Sequence, residues 1–161
     1  MIIRNGLPAD FPRLQEIEVD AGGPFRAFGM ADIADMPPPT TEQLRSYLGR
    51  CWVAEADIVA AYLLADAVGG CAHIAQVSLD QRFRGQRTGQ RLIDHVEQWA
   101  KANDLAALTL TTFRDIPWNA PYYERIGFRV VEPTPALAEL VEHEASIGLD
   151  PDTRVCMRRE F

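Results

Sequence analysis

One stretch constrains the fold more than any other. Cys71–Leu79 reads as a strand, Asp80–Thr88 as a loop, and the following residues as a helix with Leu92, Ile93, Val96, Trp99 and Ala100 on one face. Ala106–Phe113 then alternates, with Leu108 and Leu110 set against Thr109 and Thr111. Strand, helix, strand in that order is a βαβ unit, so the two strands are expected to run parallel with a right-handed crossover.

The flanking segments supply elements to build around that unit. Asp10 is placed to cap a first helix that tolerates Pro12 in its opening turn and turns Leu14 and Ile17 inward. Residues 20–39 read as a long irregular loop. Thr40 followed by Gln43 fits a capping box, opening a helix with Leu44, Tyr47 and Leu48 on one face. Cys51–Glu55 and Ile58–Ala67, joined at Ala56-Asp57, make with Cys71–Leu79 an antiparallel meander that turns at Gly69-Gly70. A short helix over Pro121–Ile126 ends at Gly127, and Ala136–Ile147 is helical between closing strands at Phe128–Val131 and Arg154–Arg158. The order predicts an α/β protein (α+β in its antiparallel part). Its centre is a mixed, twisted sheet of about six to seven strands, with helices on both faces.

The 161 residues contain no repeat or linker, so a single domain over 1–161 is expected. No apolar run approaches the ~20 residues of a membrane span, and the N-terminus lacks a secretory pattern. The three cysteines, Cys51, Cys71 and Cys156, are scattered and read as buried thiols in a reducing compartment, which points to the cytoplasm. The net charge of −7 argues against nucleic acid as a partner. Positive charge is nonetheless concentrated at Arg82, Arg84, Arg87 and Arg91, within the loop and the start of its helix.

That loop, with Gly85 and Gly89, runs from a strand into a helix N-terminus. Unpaired N–H groups there carry partial positive charge, and a diphosphate is a natural guest. Two glycines alone would be weak evidence, and the segment is neither a Walker-type loop nor a dinucleotide fingerprint. It does, however, resemble motif A of the GNAT superfamily of N-acetyltransferases, [RQ]-x-x-G-x-[GA]. Arg84 and Gly89 match its first and last positions. Arg87 stands where glycine is usual, and the helix is expected to start there, which would spare Arg87 a left-handed conformation. Asn119-Ala120-Pro121-Tyr122-Tyr123-Glu124-Arg125-Ile126-Gly127-Phe128 resembles the family's late motif, asparagine followed by Y-[EK]-[KR]-x-G-F. The asparagine lies four residues before Tyr123 rather than the usual seven or so.

The resemblance implies a GNAT fold with a splayed parallel strand pair and acetyl-CoA as acyl donor, without a metal. Its pantetheine arm would bond the backbone along Val77, Ser78 and Leu79. Its diphosphate would sit on Arg84, Gly85, Gln86, Arg87, Thr88, Gly89 and Gln90, with Asn119 and Tyr122 as further contacts. The N–H near Val77 would face the oxyanion. Tyr123, a phenol still protonated at neutral pH, would protonate the departing thiolate. The attacking amine must lose a proton first. Gln76 could hold a water for that step, and His73 has a suitable ordinary pKa. Glu16 and Glu18 on the first helix are further candidates for the base, with solvated surface carboxylates the preferred reading, and His95 and His143 read as surface residues of helices.

The acceptor is expected to be a primary amine, met by residues 21–39, with Phe25, Arg26, Phe28, Met30, Asp32 and Asp35, and by Pro133–Asp152. Its identity stays open between small molecule, peptide and protein, as does a homodimer; no membrane partner is expected. A reading of a different class is a catalytically degenerate acyl-CoA-binding sensor or interaction module. O-acyl transfer, or a longer acyl chain, would use the same scaffold.

Overall fold

The computed structural model describes residues 1–161. Seven strands form a mixed sheet in the order β1-β2-β3-β4-β5-β7-β6. They are β1 (Ile2–Asn5), β2 (Cys51–Glu55), β3 (Val59–Val68), β4 (Cys71–Leu79), β5 (Ala107–Phe113), β6 (Arg129–Val131) and β7 (Arg154–Glu160). The helices are α1 (Phe11–Gly22), α2 (Ala31–Ala34), α3 (Thr41–Ser46), α4 (Thr88–Ala102), α5 (Ala120–Arg125) and α6 (Pro135–Ser146). The expected parallel pair is present: β4 and β5 run together through Ala72–Leu108 and His73–Thr109. The chain divides into two compact units, Met1–Ala65 with Gln76–His95, and Asp66–Ala75 with Val96–Phe161.

In the first unit, β2 and β3 pair antiparallel with Cys51 opposite Leu64 and Val53 opposite Tyr62. These four side chains share one face and pack with Phe11, Leu14 and Ile17 of α1 and Leu44 of α3. A register shift between Ala54 and Glu55 sets Glu55 opposite Val59. The extra β3 residue rotates Val59 onto the same face, where it joins that core. Burial of each such side chain contributes roughly 1.5–3 kcal/mol. The capping box at Thr40 is formed, with Gln43 N–H donating to Thr40 Oγ1 at 3.1 Å and Thr40 N–H to Gln43 Oε1 at 2.8 Å. Because α3 ends at Ser46, Leu48 is exposed rather than inward.

Three other expectations are corrected here. β1 was not anticipated. It lies at the edge of the sheet, and its side chains are exposed or half-buried, so it carries no inward apolar pattern. Asp10 stands at the N-cap of α1 but its side chain does not cap. It accepts from Leu7 N–H at 2.8 Å and from Arg4, which also bridges to Glu55 at 2.8 Å; this Arg4 contact holds the Asp10 carboxyl below its usual range. Residues 20–39 are largely helical: α1 runs on to Gly22, a 3-10 helix covers Gly23–Phe28, and α2 follows.

In the second unit β7 pairs antiparallel with β5 along seven residue pairs and with β6 on its other side. The threonine face of β5 is not solvated, since Thr109 is buried and Thr111 half-buried. Thr109 meets a buried partner, and Thr111 donates to Glu144 of α6 at 2.9 Å. Gly127 closes α5 with φ of 104°, the left-handed cap its position called for. The three cysteines are free and buried.

Arg87 also departs from expectation. Helix α4 begins at Thr88, and Arg87 precedes it with φ of 57°. A left-handed L-residue costs roughly 1–2 kcal/mol, which glycine would escape. Arg87→Gly is therefore expected to raise stability in urea unfolding by up to about 1 kcal/mol, the remainder being offset by the freedom glycine gains in the unfolded chain. Arg87→Val should lower it, because a β-branched residue tolerates that conformation worst.

Candidate active site

Burial changes sharply along β4. Cys71 to Ile74 are buried, Ala75 is exposed, and Gln76, Val77 and Leu79 are only half-buried. The C-terminal half of the strand, the part singled out for the acyl donor, is thus the accessible half. It leads to Asp80, a buried carboxylate that organises the next turn. Asp80 accepts from Arg82 N–H at 2.9 Å and pairs with Arg13 at 2.7 Å and Arg82 at 2.8 Å. These contacts, that of Arg82 above all, hold its carboxyl far below the usual range. Gln81 ties the same turn to α1, its N–H meeting Asp20 Oδ2 at 3.0 Å and its amide the Asp20 carbonyl at 2.9 Å.

The turn then reverses through two left-handed residues, Gly85 with φ of 80° and Arg87 with φ of 57°. Arg84, Gly85, Gln86 and Arg87 are exposed, Thr88 is buried, and Gly89 and Gln90 are half-buried in the first turn of α4. Of the four clustered arginines, Arg82 is committed to Asp80 and Arg91 donates to the Met1 carbonyl at 3.1 Å. Arg84 and Arg87 stand in solvent beside the open end of a helix 15 residues long. An anion placed there would meet both helix-terminal N–H groups and guanidinium charge.

A second feature of this unit escaped the sequence. Glu18 is not a solvated carboxylate. Tyr62 of β3 donates a short hydrogen bond to Glu18 Oε2, Ser78 Oγ donates to the same oxygen at 2.7 Å, and the Gln76 amide donates to Oε1 at 2.9 Å. Gln76 also donates to Ser78 Oγ at 2.9 Å. Gln76 and Ser78 are two apart on β4 and so share a face. Burial pushes the Glu18 carboxyl above its usual range, while the three hydrogen bonds oppose the shift. The available signal was positional: Glu18 lies four residues after buried Leu14 and one after buried Ile17, on the flank of the inward stripe of α1.

In the second unit, Tyr123 is 8% exposed, its ring edge-on to Tyr122 at 5.4 Å and to Phe128 at 5.7 Å between centroids. Burial drives its phenol well above the usual range, so it is protonated at neutral pH. Asn119 precedes α5, and its Oδ1 is buried with no hydrogen-bond partner. Such an orphaned acceptor is costly and fits a group completed by a ligand donor. Tyr122 is half-buried beneath the Arg125 guanidinium. His73 is buried in β4, its Nδ1 2.9 Å from Thr109 Oγ1, and burial pushes its pKa down to about 4. A neutral imidazole so enclosed has a structural partner in Thr109. His95 and His143 lie exposed on helices.

The stretch expected to meet the acceptor follows Glu18 directly. Phe28 is exposed at the end of the 3-10 helix, Asp32 is exposed on α2, and Asp35 is ion-paired with Arg26, which removes it as a solitary anion.

Comparisons with known proteins bear on this geometry. The chain superposes with a TM-score of 0.73 on the PaiA N-acetyltransferase of Thermoplasma acidophilum, solved with coenzyme A, at 15% identity over 99% of this chain and 98% of that one. Ribosomal-protein-S18-alanine N-acetyltransferase of Escherichia coli gives 0.65 at 18% identity over 99% and 92% of the two chains. Ribosomal-protein-alanine N-acetyltransferase of Brucella melitensis gives 0.71 at 15% identity over the whole of both. At such identities the likeness speaks for the fold. The family model described as Acetyltransferase (GNAT) family matches residues 14–128, which take in α1 from Leu14 on, the Arg84–Gly89 turn and Tyr123. With the parallel β4–β5 pair and the turn into α4, this match shows that the chain belongs to the GNAT family of acetyltransferases.

Proposed function

We propose that this chain transfers an acetyl group from acetyl-CoA to a primary amine, and that its two units serve one acetyltransferase domain. The observation that carries the reading is the exposed turn at Arg84–Arg87. Its left-handed residues precede the N-terminus of α4, where main-chain N–H groups and two guanidinium groups together suit a diphosphate. Arg87, at a position where the family's motif usually has glycine, holds the left-handed backbone that glycine adopts most readily, which supports a retained binding turn. Val77 and Leu79, on the accessible half of β4, supply backbone groups for the pantetheine arm, and the Val77 N–H steadies the developing oxyanion. Asn119 Oδ1 accepts a donor from the ligand. Tyr123 gives its proton to the departing thiolate; its high pKa keeps that proton in place until the C–S bond breaks. No group in this sequence of roles requires a metal.

The reading is tested by a thiol-release screen of wild-type protein with acetyl-CoA and a panel of amines, comprising tyramine, spermidine, lysine methyl ester and Ala- and Ser-initiated peptides. Release with at least one acceptor is expected; binding of acetyl-CoA without any release would replace the enzyme by an acyl-CoA sensor.

Calorimetry tests the turn itself. Pantetheine, which lacks the diphosphate, should bind at least ~10-fold more weakly than CoA, since charge-assisted hydrogen bonds are each worth about 1.5–3 kcal/mol. Arg84→Ala should weaken CoA and flatten the salt dependence of its binding. Equal affinity for the two ligands would remove the turn from the site.

Tyr123→Phe should lower kcat by about 100-fold or more, leaving CoA affinity and the unfolding midpoint unchanged. Full turnover in that variant would take Tyr123 out of the reaction.

A further inference from the structure

Most of the carboxylates drawn out of solvent in this molecule are paired with cations. Asp10 meets Arg4, Asp80 meets Arg13 and Arg82, Glu97 meets Lys101 and Arg159, and Glu144 meets Arg154. Glu18 differs. Its partners are the neutral donors Tyr62, Ser78 and Gln76, from two strands packed against α1, and no guanidinium or ammonium reaches it. A desolvated charge without a counter-charge is costly, and a ligand cation would offset that cost.

The donors also leave room. Oε2 is filled by Tyr62 and Ser78, whereas Oε1 accepts only from Gln76 and keeps a lone pair open. Glu18 as a residue is half-buried rather than fully enclosed. The cluster sits on Gln76 and Ser78, which bracket Val77 on β4, and the residues expected to meet the acceptor begin three positions further along the chain from Glu18, at Ala21.

We propose that Glu18 Oε1 receives the ammonium of the acceptor and takes its proton, which makes the acceptor a basic alkylamine. The inference rests on the acetyltransferase reading above. The ammonium supplies the missing counter-charge: the carboxylate binds R–NH3⁺, accepts one proton and leaves neutral R–NH2. The nitrogen lone pair then forms the N–C bond to the thioester carbonyl. The C–S bond breaks, the thiolate leaves with the Tyr123 proton, and the second proton shed by nitrogen restores Tyr123. Glu18 returns its proton to solvent, so the net change is amine plus thioester to amide plus thiol, with the acceptor's original charge released as a proton. Gln76 and Ser78 hold the carboxylate in place and are positioning residues.

The groups facing Glu18 are Tyr62 from β3 and Gln76 and Ser78 from β4. Only Tyr62 titrates, and burial carries it far above its usual range, so it does not interfere near neutrality. The sign of the pH effect follows. Burial raises the Glu18 carboxyl, so kcat/KM should fall on the acid side at a pH above that of an ordinary carboxylate, as the proton-accepting form is lost.

The experiment compares wild type and Glu18→Gln, using the alkylamine of the panel (tyramine, spermidine or lysine methyl ester) that wild type turns over best. Support requires kcat/KM to fall about 100-fold or more and the acid limb to disappear, with CoA affinity and unfolding midpoint held. A variant that keeps its rate or its acid limb overturns the proposal and leaves the acetyltransferase standing. A loss of rate in proportion to lost CoA binding or a lowered midpoint marks Glu18 as structural and also overturns it. Wild type supplies a check that needs no variant: a kcat/KM profile without an acid limb above the ordinary carboxylate range sinks the idea. Turnover of the peptides alone, with none of the three alkylamines, would do the same. If wild type acetylates nothing at all, both readings fall together.

Discussion

Parallel neighbours in a sheet cannot be joined by a tight turn; the chain must leave the end of one strand, cross over and re-enter at the start of the next. The pairing of β4 with β5 imposes that path here, and α4 is the crossover. The N-terminus of α4 therefore follows the C-terminal end of β4, separated from it only by the turn that Asp80 organises. Everything offered to an anionic ligand in this region, the open N–H groups of the helix and the exposed Arg84 and Arg87, is placed by that connection. The general rule that ligands of open sheets gather beyond the carboxyl ends of parallel strands has the same origin.

Charge is sorted by burial along this path. Asp80 is enclosed and doubly paired, so its energy goes into holding the turn and Arg82 is spent on it. Arg84 and Arg87, two and five residues further on, are left to solvent. Glu18 is the inverse case, enclosed by neutral donors from β3 and β4 with no cation. The first arrangement is self-sufficient. The second is held by hydrogen bonds alone, without a counter-charge from the chain.

Local signals were legible where one segment contains its own cause. The bounds of Cys51–Glu55 and Cys71–Leu79, the box between Thr40 and Gln43 and the left-handed cap at Gly127 all follow from neighbours a few residues away. They failed where a distant residue intervened. Asp10 has the chemistry of a cap, but Arg4 and Leu7 claim its carboxylate. Thr109 alternates with Leu108 and Leu110, and nothing near it in the chain announces that His73 from the parallel strand meets it. Ile2–Asn5 has no inward face to announce a strand and is held by its ladder to β2. Arg87 has every reason to avoid a positive φ, and the connection from turn to helix imposes it.

Periodicity, two motifs and a crossover were enough for the sequence alone to point to the family and to the order of elements from Cys51 onward, because patterns of three to four residues on a helix and two on a strand are local properties. Which polar groups lose water is a different matter. Glu18 and Gln76 are 58 residues apart, and nothing in either neighbourhood states that they meet. Only folding decides that a carboxylate on one helix and an amide on a strand share a desolvated contact, since desolvation depends on what packs from elsewhere in the chain.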